Sequence, residues 1–158
     1  MLFGIGYDIH RLVEGRKLVL GGVEFDYHLG LQGHSDADVV LHAVCDAILG
    51  AAALGDIGEH FPDTDQRWKG VPSKTLLLKV VDLVKEKRFK VNNVDVVILA
   101  EKPRIGSKKM EMKKNIAEWL GIDANRVNIK ATTMEGVDAI GHGEAIAAQA
   151  IASLCEDI

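Results

Sequence analysis

What most restricts the fold is the alternation of two periodicities along the chain. Runs with small and apolar residues interleaved give way to runs whose apolar positions recur at helical spacing, with glycine, proline or a capping side chain between them. Leu2 to His10 reads as a strand, and Lys17 to Phe25 as two strands broken by Gly21-Gly22. Residues 26–36 form a loop. Ser35 offers an N-cap with Asp38 three residues later, and a helix follows from Ala37 to Ala53, ending at Gly55. Residues 55–72 hold Gly55, Gly58, Pro62, Gly70 and Pro72, too much punctuation for a regular element. Ser73 caps a second helix that runs to about Lys87. Asn93 to Ala100 reads as a strand, Ser107 to Leu120 as an amphipathic helix stopped by Gly121, and Arg126 to Thr132 as an alternating strand. Residues 133–143 form a glycine-bearing loop. The last segment, Glu144 to Ile158, is open to two readings: helix by propensity, two-faced strand by alternation. The order β-β-α-α-β-α-β plus this segment, with no repeat and no linker, predicts a single α/β domain over residues 1–158.

Composition narrows the function. Aromatic residues are only 5%, so alanine, valine, leucine and isoleucine must fill the core. The formal net charge of −4 argues against a general nucleic-acid binder. No apolar run approaches the ~20 residues of a membrane-spanning helix. Cys45 and Cys155 make no disulfide framework and fit a reducing compartment. Met1 leads directly into Leu2-Phe3-Gly4-Ile5-Gly6 without a basic leader, so a cytoplasmic location is expected.

Four groups of residues carry possible chemistry. Asp8 and His10 lie two apart on a strand and so share a face. With His42 from the first helix they would make a three-ligand set for a metal such as zinc, leaving a fourth position open. The plainer alternative is a turn aspartate and two ordinary surface histidines. The second group is His34-Ser35-Asp36-Ala37-Asp38, where a helix start can bind an anion. Asp38, His42 and Asp46 recur every four residues, which suggests carboxylates orienting a metal-bound histidine, or else a solvated acidic stripe. The third is Asp56-Ile57-Gly58 with Phe61-Pro62-Asp63-Thr64-Asp65, whose aspartates also suit simple turns. The fourth is Lys130-Ala131-Thr132-Thr133-Met134-Glu135, in which hydroxyls suit phosphate and Glu135 suits a hard cation. Neither common nucleotide-binding glycine loop is present. The set as a whole suits charge neutralisation on a phosphorylated small molecule.

The stretches GYDIHRL, HSDADVVLHAVCDAILGAAALGDIGEHFPDTD, NVDVVILAEKPR and NIKATTMEG closely resemble the 2-C-methyl-D-erythritol 2,4-cyclodiphosphate synthase family, over nearly the full length. The resemblance implies a mixed sheet packed on one side by helices. It implies a homotrimer around a sheet-lined axis, with active sites between subunits and the last segment as a strand. The implied reaction is intramolecular: the 2-phosphate of 4-diphosphocytidyl-2-C-methyl-D-erythritol 2-phosphate attacks the β-phosphorus, and CMP leaves. Such phosphoryl transfer needs positioning and charge stabilisation above all.

By the same resemblance, Asp8, His10 and His42 hold zinc, and Glu135 a second ion, magnesium or manganese. His34 and Thr133 match residues that stabilise the transition state, and Ser35 one that binds the 2-phosphate. Asp8, Ile9 and His10, with Asp56, Ile57, Gly58 and the run Phe61, Pro62, Asp63, Thr64, Asp65, border the methylerythritol site. Ala100, Pro103, Arg104, Ile105, Gly106 and Thr132 form a cytidine pocket, with Thr133, Met134 and Glu135 alongside. Arg104 replaces an expected lysine. Ala139 and His142 stand where relatives carry an aromatic and an arginine facing an axial channel. His142 lacks the guanidinium fork that grips phosphate, which weakens any expectation of prenyl-diphosphate binding there. Two other functions fit the same residues: a non-catalytic metal-stapled trimer sensing isoprenoid phosphates, and a metal-dependent nucleotide hydrolase.

Overall fold

A twelve-residue strand at each end of the chain forms the spine of the sheet. In the computed structural model, which describes residues 1–158, β1 (Leu2–Val13) and β7 (Ala145–Glu156) pair antiparallel from Leu2↔Leu154 to Arg11↔Ala145. On the other side β7 pairs antiparallel with β5 (Phe89–Leu99), with a bulge between Val91 and Asn93. The edge strand β6 (Val127–Thr132) runs parallel to β5. The opposite edge is the short β4 (Gly30–Leu31), giving the order β4-β1-β7-β5-β6. Strands β2 (Leu18–Leu20) and β3 (Val23–Phe25) form a separate hairpin. Its turn is Gly21-Gly22, both at positive φ (58° and 73°), as the tightest hairpin turns require.

The last segment is a strand. Helix propensity is overridden because β7 lies inside the sheet and satisfies its backbone on both sides. Ala148, Ala150, Ala152 and Leu154 face the core, while Gln149 and Ile151 face away.

Three helices cover one face: α1 (Val39–Ala51), α3 (Ser73–Glu86) and α4 (Lys109–Leu120), the last forming the crossover from β5 to β6. Glycine decides how closely α1 approaches. A Cβ on Gly4 would lie 2.0 Å from the carbonyl oxygen of Ala47, so helix and strand touch backbone to backbone. The other face of β1 carries Phe3, Ile5, Tyr7 and Ile9, all exposed.

The helix starts differ from the sequence reading. Ala37 sits at φ 58°, which no α-helix accommodates, so α1 begins at Val39 with Asp38 as its cap. Asp38 accepts from the Leu41 N–H, whereas Ser35 accepts from the Ala37 N–H in a local turn. Ser73 is likewise the first residue of α3, Pro72 occupies its cap, and the hydroxyl turns inward. The punctuated 55–72 segment holds one helical turn, α2 (Ile57–His60), and a 3-10 turn over Gln66–Trp68. The 133–143 loop contains a further turn, α5 (Asp138–Gly141).

Candidate metal centre and substrate cavities

Alternation along β1 puts Asp8 and His10 on the same face as Gly4 and Gly6, directly below α1. The helix then delivers His42 to them. Asp8 Oδ2 lies 2.8 Å from His10 Nε2 and 3.1 Å from His42 Nδ1, and the two ring nitrogens are 3.4 Å apart. Zinc bonds of ~2.0–2.1 Å in a tetrahedron require ligand atoms about 3.3–3.4 Å apart, so the two ring nitrogens already stand at that spacing and only the Asp8 distances must open, by roughly half an ångström or less. Two imidazoles and one carboxylate are also a donor set that zinc accepts. These residues therefore form a group able to hold a metal ion. Burial pushes the Asp8 carboxyl up, but hydrogen bonds from both histidines outweigh it and hold it at about 2. For His42 burial works downward, and the Asp8 partnership reverses it to a net rise.

The outer nitrogen of His42 is also held. Its Nε2 lies 2.8 Å from Ser73 Oγ and 3.2 Å from Ser35 Oγ. Asp36 in turn accepts from the Ser73 hydroxyl and from the Ser73 N–H at 3.0 Å. The expectation that Asp38 and Asp46 orient His42 is corrected here, since neither bonds its ring. Asp38 is fully buried and ties the β2–β3 turn to α1, accepting from Gly21, Gly22 and Leu41 at 2.9, 2.8 and 3.1 Å. Burial and the neighbouring Asp36 charge push its carboxyl up to about 6, against those three donors. Asp46 accepts from the Ile57 N–H at 2.7 Å, and burial raises its pKa also. The sequence signal for Ser73 was obscured by its expected role as a cap.

Above the metal-binding group opens a cavity of about 500 Å³. Its walls bring together His10, His34, Ser35 and His42 with Ile57, Gly58, Phe61, Pro62 and Asp63. Trp68 and Leu76, which the sequence reading missed, complete it, and Trp68 stands edge-on to Phe61 at 5.0 Å. Only the odd aromatic residue in a polar loop hinted at Trp68. His34 Nε2 donates to the Asp65 carbonyl at 3.0 Å. Asp56 caps α2 through the Glu59 N–H, and Asp65 binds Arg67, which lowers its pKa. Thr64 is exposed between them.

The remaining expected residues lie elsewhere. Ala100, Pro103, Arg104, Ile105, Gly106, Thr132 and Thr133 line a second cavity of about 770 Å³, with Tyr27, Ser107 and Lys109 as unforeseen members. Glu101 straps the adjacent loop, accepting from Met134 and Gly136 at 3.0 and 3.1 Å. Between those two amides Glu135 is exposed and held at φ 54°. His142 is exposed at the end of α5. The two cavities share no residue, so within one chain Thr133 and the metal-binding group line separate walls.

An α/β domain with an Asp-His-His group at the floor of a cavity walled by histidines, a serine and aromatic side chains defines a metal-binding enzyme acting on a small molecule. The chain belongs to the YgbB family, whose model matches residues 1–155. It is 59% identical to the 2-C-methyl-D-erythritol 2,4-cyclodiphosphate synthase of Desulfosudis oleivorans, over 99% of this chain and 94% of that one. Among solved structures, it resembles the bifunctional IspDF from Campylobacter jejuni with a TM-score of 0.94 and 42% identity. That match covers 98% of this chain and 42% of the longer protein. It also resembles the IspF–CDP complex of Plasmodium falciparum, with a TM-score of 0.87 and 32% identity over 99% and 97% of the two chains.

Proposed function

We propose that this chain is a metal-dependent lyase of the non-mevalonate isoprenoid route. It converts 4-diphosphocytidyl-2-C-methyl-D-erythritol 2-phosphate to 2-C-methyl-D-erythritol 2,4-cyclodiphosphate and releases CMP. The carrying observation is the convergence of Asp8 Oδ2, His10 Nε2 and His42 Nδ1 at the floor of a cavity sized for a small phosphorylated polyol. Asp8, His10 and His42 would hold a zinc ion, which would supply Lewis acidity there.

The chain's own residues supply position and charge. Ser35 presents its hydroxyl to the cavity for the 2-phosphate. Asp56, Ile57 and Gly58, fixed to α1 through Asp46, hold the methylerythritol end, with Phe61 to Asp65 as its outer wall. His34, anchored to Asp65, and Thr133 meet charge developing on the transferring phosphoryl group. Ala100, Pro103, Arg104, Ile105, Gly106 and Thr132 take the cytidine, and Glu135, exposed on the adjacent loop, would hold a magnesium or manganese ion that offsets phosphate charge. Bringing the attacking phosphate and the β-phosphorus together in one enclosure replaces a floppy encounter with a near-attack arrangement.

Two cavities without a common residue suit a homotrimer in which one subunit's cytidine pocket faces the next subunit's metal cavity. The uncovered apolar face of β1 supplies the surface such an assembly buries. No helix is long and apolar enough to cross a membrane, and both cysteines are free, in keeping with action in the cytoplasm.

Incubation of the purified protein with substrate and divalent metal tests the proposal by phosphorus NMR. One CMP per cyclic diphosphate is expected, with loss of turnover in a strong chelator and in His42→Ala. A linear phosphate product would instead establish a hydrolase, and binding without CMP release a sensor.

A further inference from the structure

The network behind His42 fixes which of its nitrogens is available to a metal. Ser73 is fully buried, and its hydroxyl lies between Asp36 and His42 Nε2. A hydroxyl has one proton, and a carboxylate oxygen can only accept. Asp36 therefore takes the Ser73 proton, and Ser73 Oγ faces the imidazole as an acceptor. His42 Nε2 must then carry its hydrogen, which leaves the Nδ1 lone pair on the side of Asp8 and His10. Asp36 cannot easily turn away, because it also accepts from the N–H groups of Ser73 and Asp38 at 3.0 and 3.1 Å.

We infer that Asp36 and Ser73 are positioning residues for the metal centre: a carboxylate–hydroxyl–imidazole relay that sets the His42 tautomer and aims Nδ1 at the ion. Ser73 comes from the first turn of α3 and Asp36 from the loop before α1, so the relay also ties two distant segments to one ligand. Ser35 has a separate part. Its Oγ accepts from the Ala37 N–H, and His42 Nε2, whose one hydrogen points to Ser73, has no lone pair to take the Ser35 proton. The Ser35 proton is thereby left for an anion in the cavity.

The inference rests on the reading of Asp8, His10 and His42 as metal ligands, and the experiment separates the two. Zinc affinity of the metal-free full-length protein is measured by competition with a chromogenic chelator for wild type, Ser73→Ala and Asp36→Asn. Loss of a group orienting a metal-bound histidine weakens affinity by about 10- to 100-fold. Ser73→Ala is expected in that range, with Asp36→Asn falling in the same direction by less. Melting curves of metal-free and zinc-loaded protein distinguish positioning from plain packing. A positioning role shrinks the zinc-induced rise in Tm, whereas a packing role lowers both curves together. If Ser73→Ala does not fold, Asp36→Asn carries the test. Wild type without zinc affinity would overturn the metal reading and the relay with it. Tight zinc in wild type and both variants, with an unchanged zinc-induced shift, would overturn the relay alone.

Discussion

A Cβ placed on Gly6 would lie 1.9 Å from the carbonyl oxygen of Ala43. The metal-binding group depends on that missing atom. Asp8 and His10 are on the next same-facing positions of β1, and His42 precedes Ala43 on α1, so the strand–helix separation at Gly6 also sets the distance from His10 to His42. Gly6→Ala is therefore expected to cost about 3 kcal/mol or more, because backbone rather than a flexible side chain must move. Its zinc affinity should fall as well. Gly50 provides the contrast within the same helix: its added Cβ meets nothing closer than 3.8 Å. Gly50→Ala should raise stability by about 0.5–1 kcal/mol through lost chain entropy in the unfolded state. Denaturant melts of the two variants check both signs.

Asp46 joins the metal-bearing helix to the opposite wall of the cavity through its 2.7 Å bond from the Ile57 N–H. It touches no ligand atom of the metal-binding group. Asp46→Ala removes the bond that ties the start of α2 to α1, leaving the Asp56 cap, the His60–Leu54 bond and the packing of Ile57 to hold it. At about 1 kcal/mol for one such bond, KM should rise roughly fivefold with kcat nearly kept. A fall in kcat at unchanged KM would show that Asp46 acts on the chemistry and not on the pocket wall.

Asp38 makes stability depend on pH with an unusual sign. Burial raises its folded pKa from 3.8 to about 6, so between those values the folded protein keeps a proton that the unfolded chain releases. The group's contribution is fully present below pH 3.8 and is lost as pH rises toward 6. Asp8 works the other way, with its folded pKa of about 2 below the usual value, and loses its contribution as pH falls through that lower window. The windows adjoin without overlapping. Melts of wild type and Asp38→Asn between pH 4 and 6 should therefore diverge in slope, wild type losing stability relative to the variant as pH rises. Parallel curves would remove Asp38 as the source.

Much of this was legible in the chain because short-range rules carry it. Two-residue spacing on β1 placed Asp8 beside His10, and the Gly21-Gly22 break between two apolar runs marked a hairpin. What failed were inferences that needed the third dimension. Ser73 reads as a helix cap because serine before an apolar run usually is one, and only the packing of α3 against the 34–38 loop turns its hydroxyl toward His42. The i, i+4, i+8 series of Asp38, His42 and Asp46 is real. Yet the hairpin turn claims Asp38 and the α2 amide claims Asp46, and neither partner lies nearby in sequence. For β7, helix propensity within the segment competed with sheet partners 134 or more positions away at β1, such as Arg11 facing Ala145, and the partners prevailed.

The uncovered side of the sheet offers the sharpest test of assembly. Ile5 and Ile151 are register partners on neighbouring strands, 61% and 51% exposed, with Phe3, Tyr7 and Ile9 on the same side of β1. A contiguous apolar face of this kind is costly in water and is covered in proteins that associate. Asp8 and His10 lie on the opposite side, beneath α1 and its His42. Ile5→Glu sets a charge in the middle of the apolar face while leaving those ligands untouched. On the proposed assembly, light scattering is expected to show wild type as a trimer and the variant as monomers. Zinc binding should persist, and CMP release should fall by orders of magnitude, since the proposed site joins cavities of two subunits. A variant that stays trimeric would remove this face as the interface, and a monomer that turns over at the wild-type rate would place the active site within one chain.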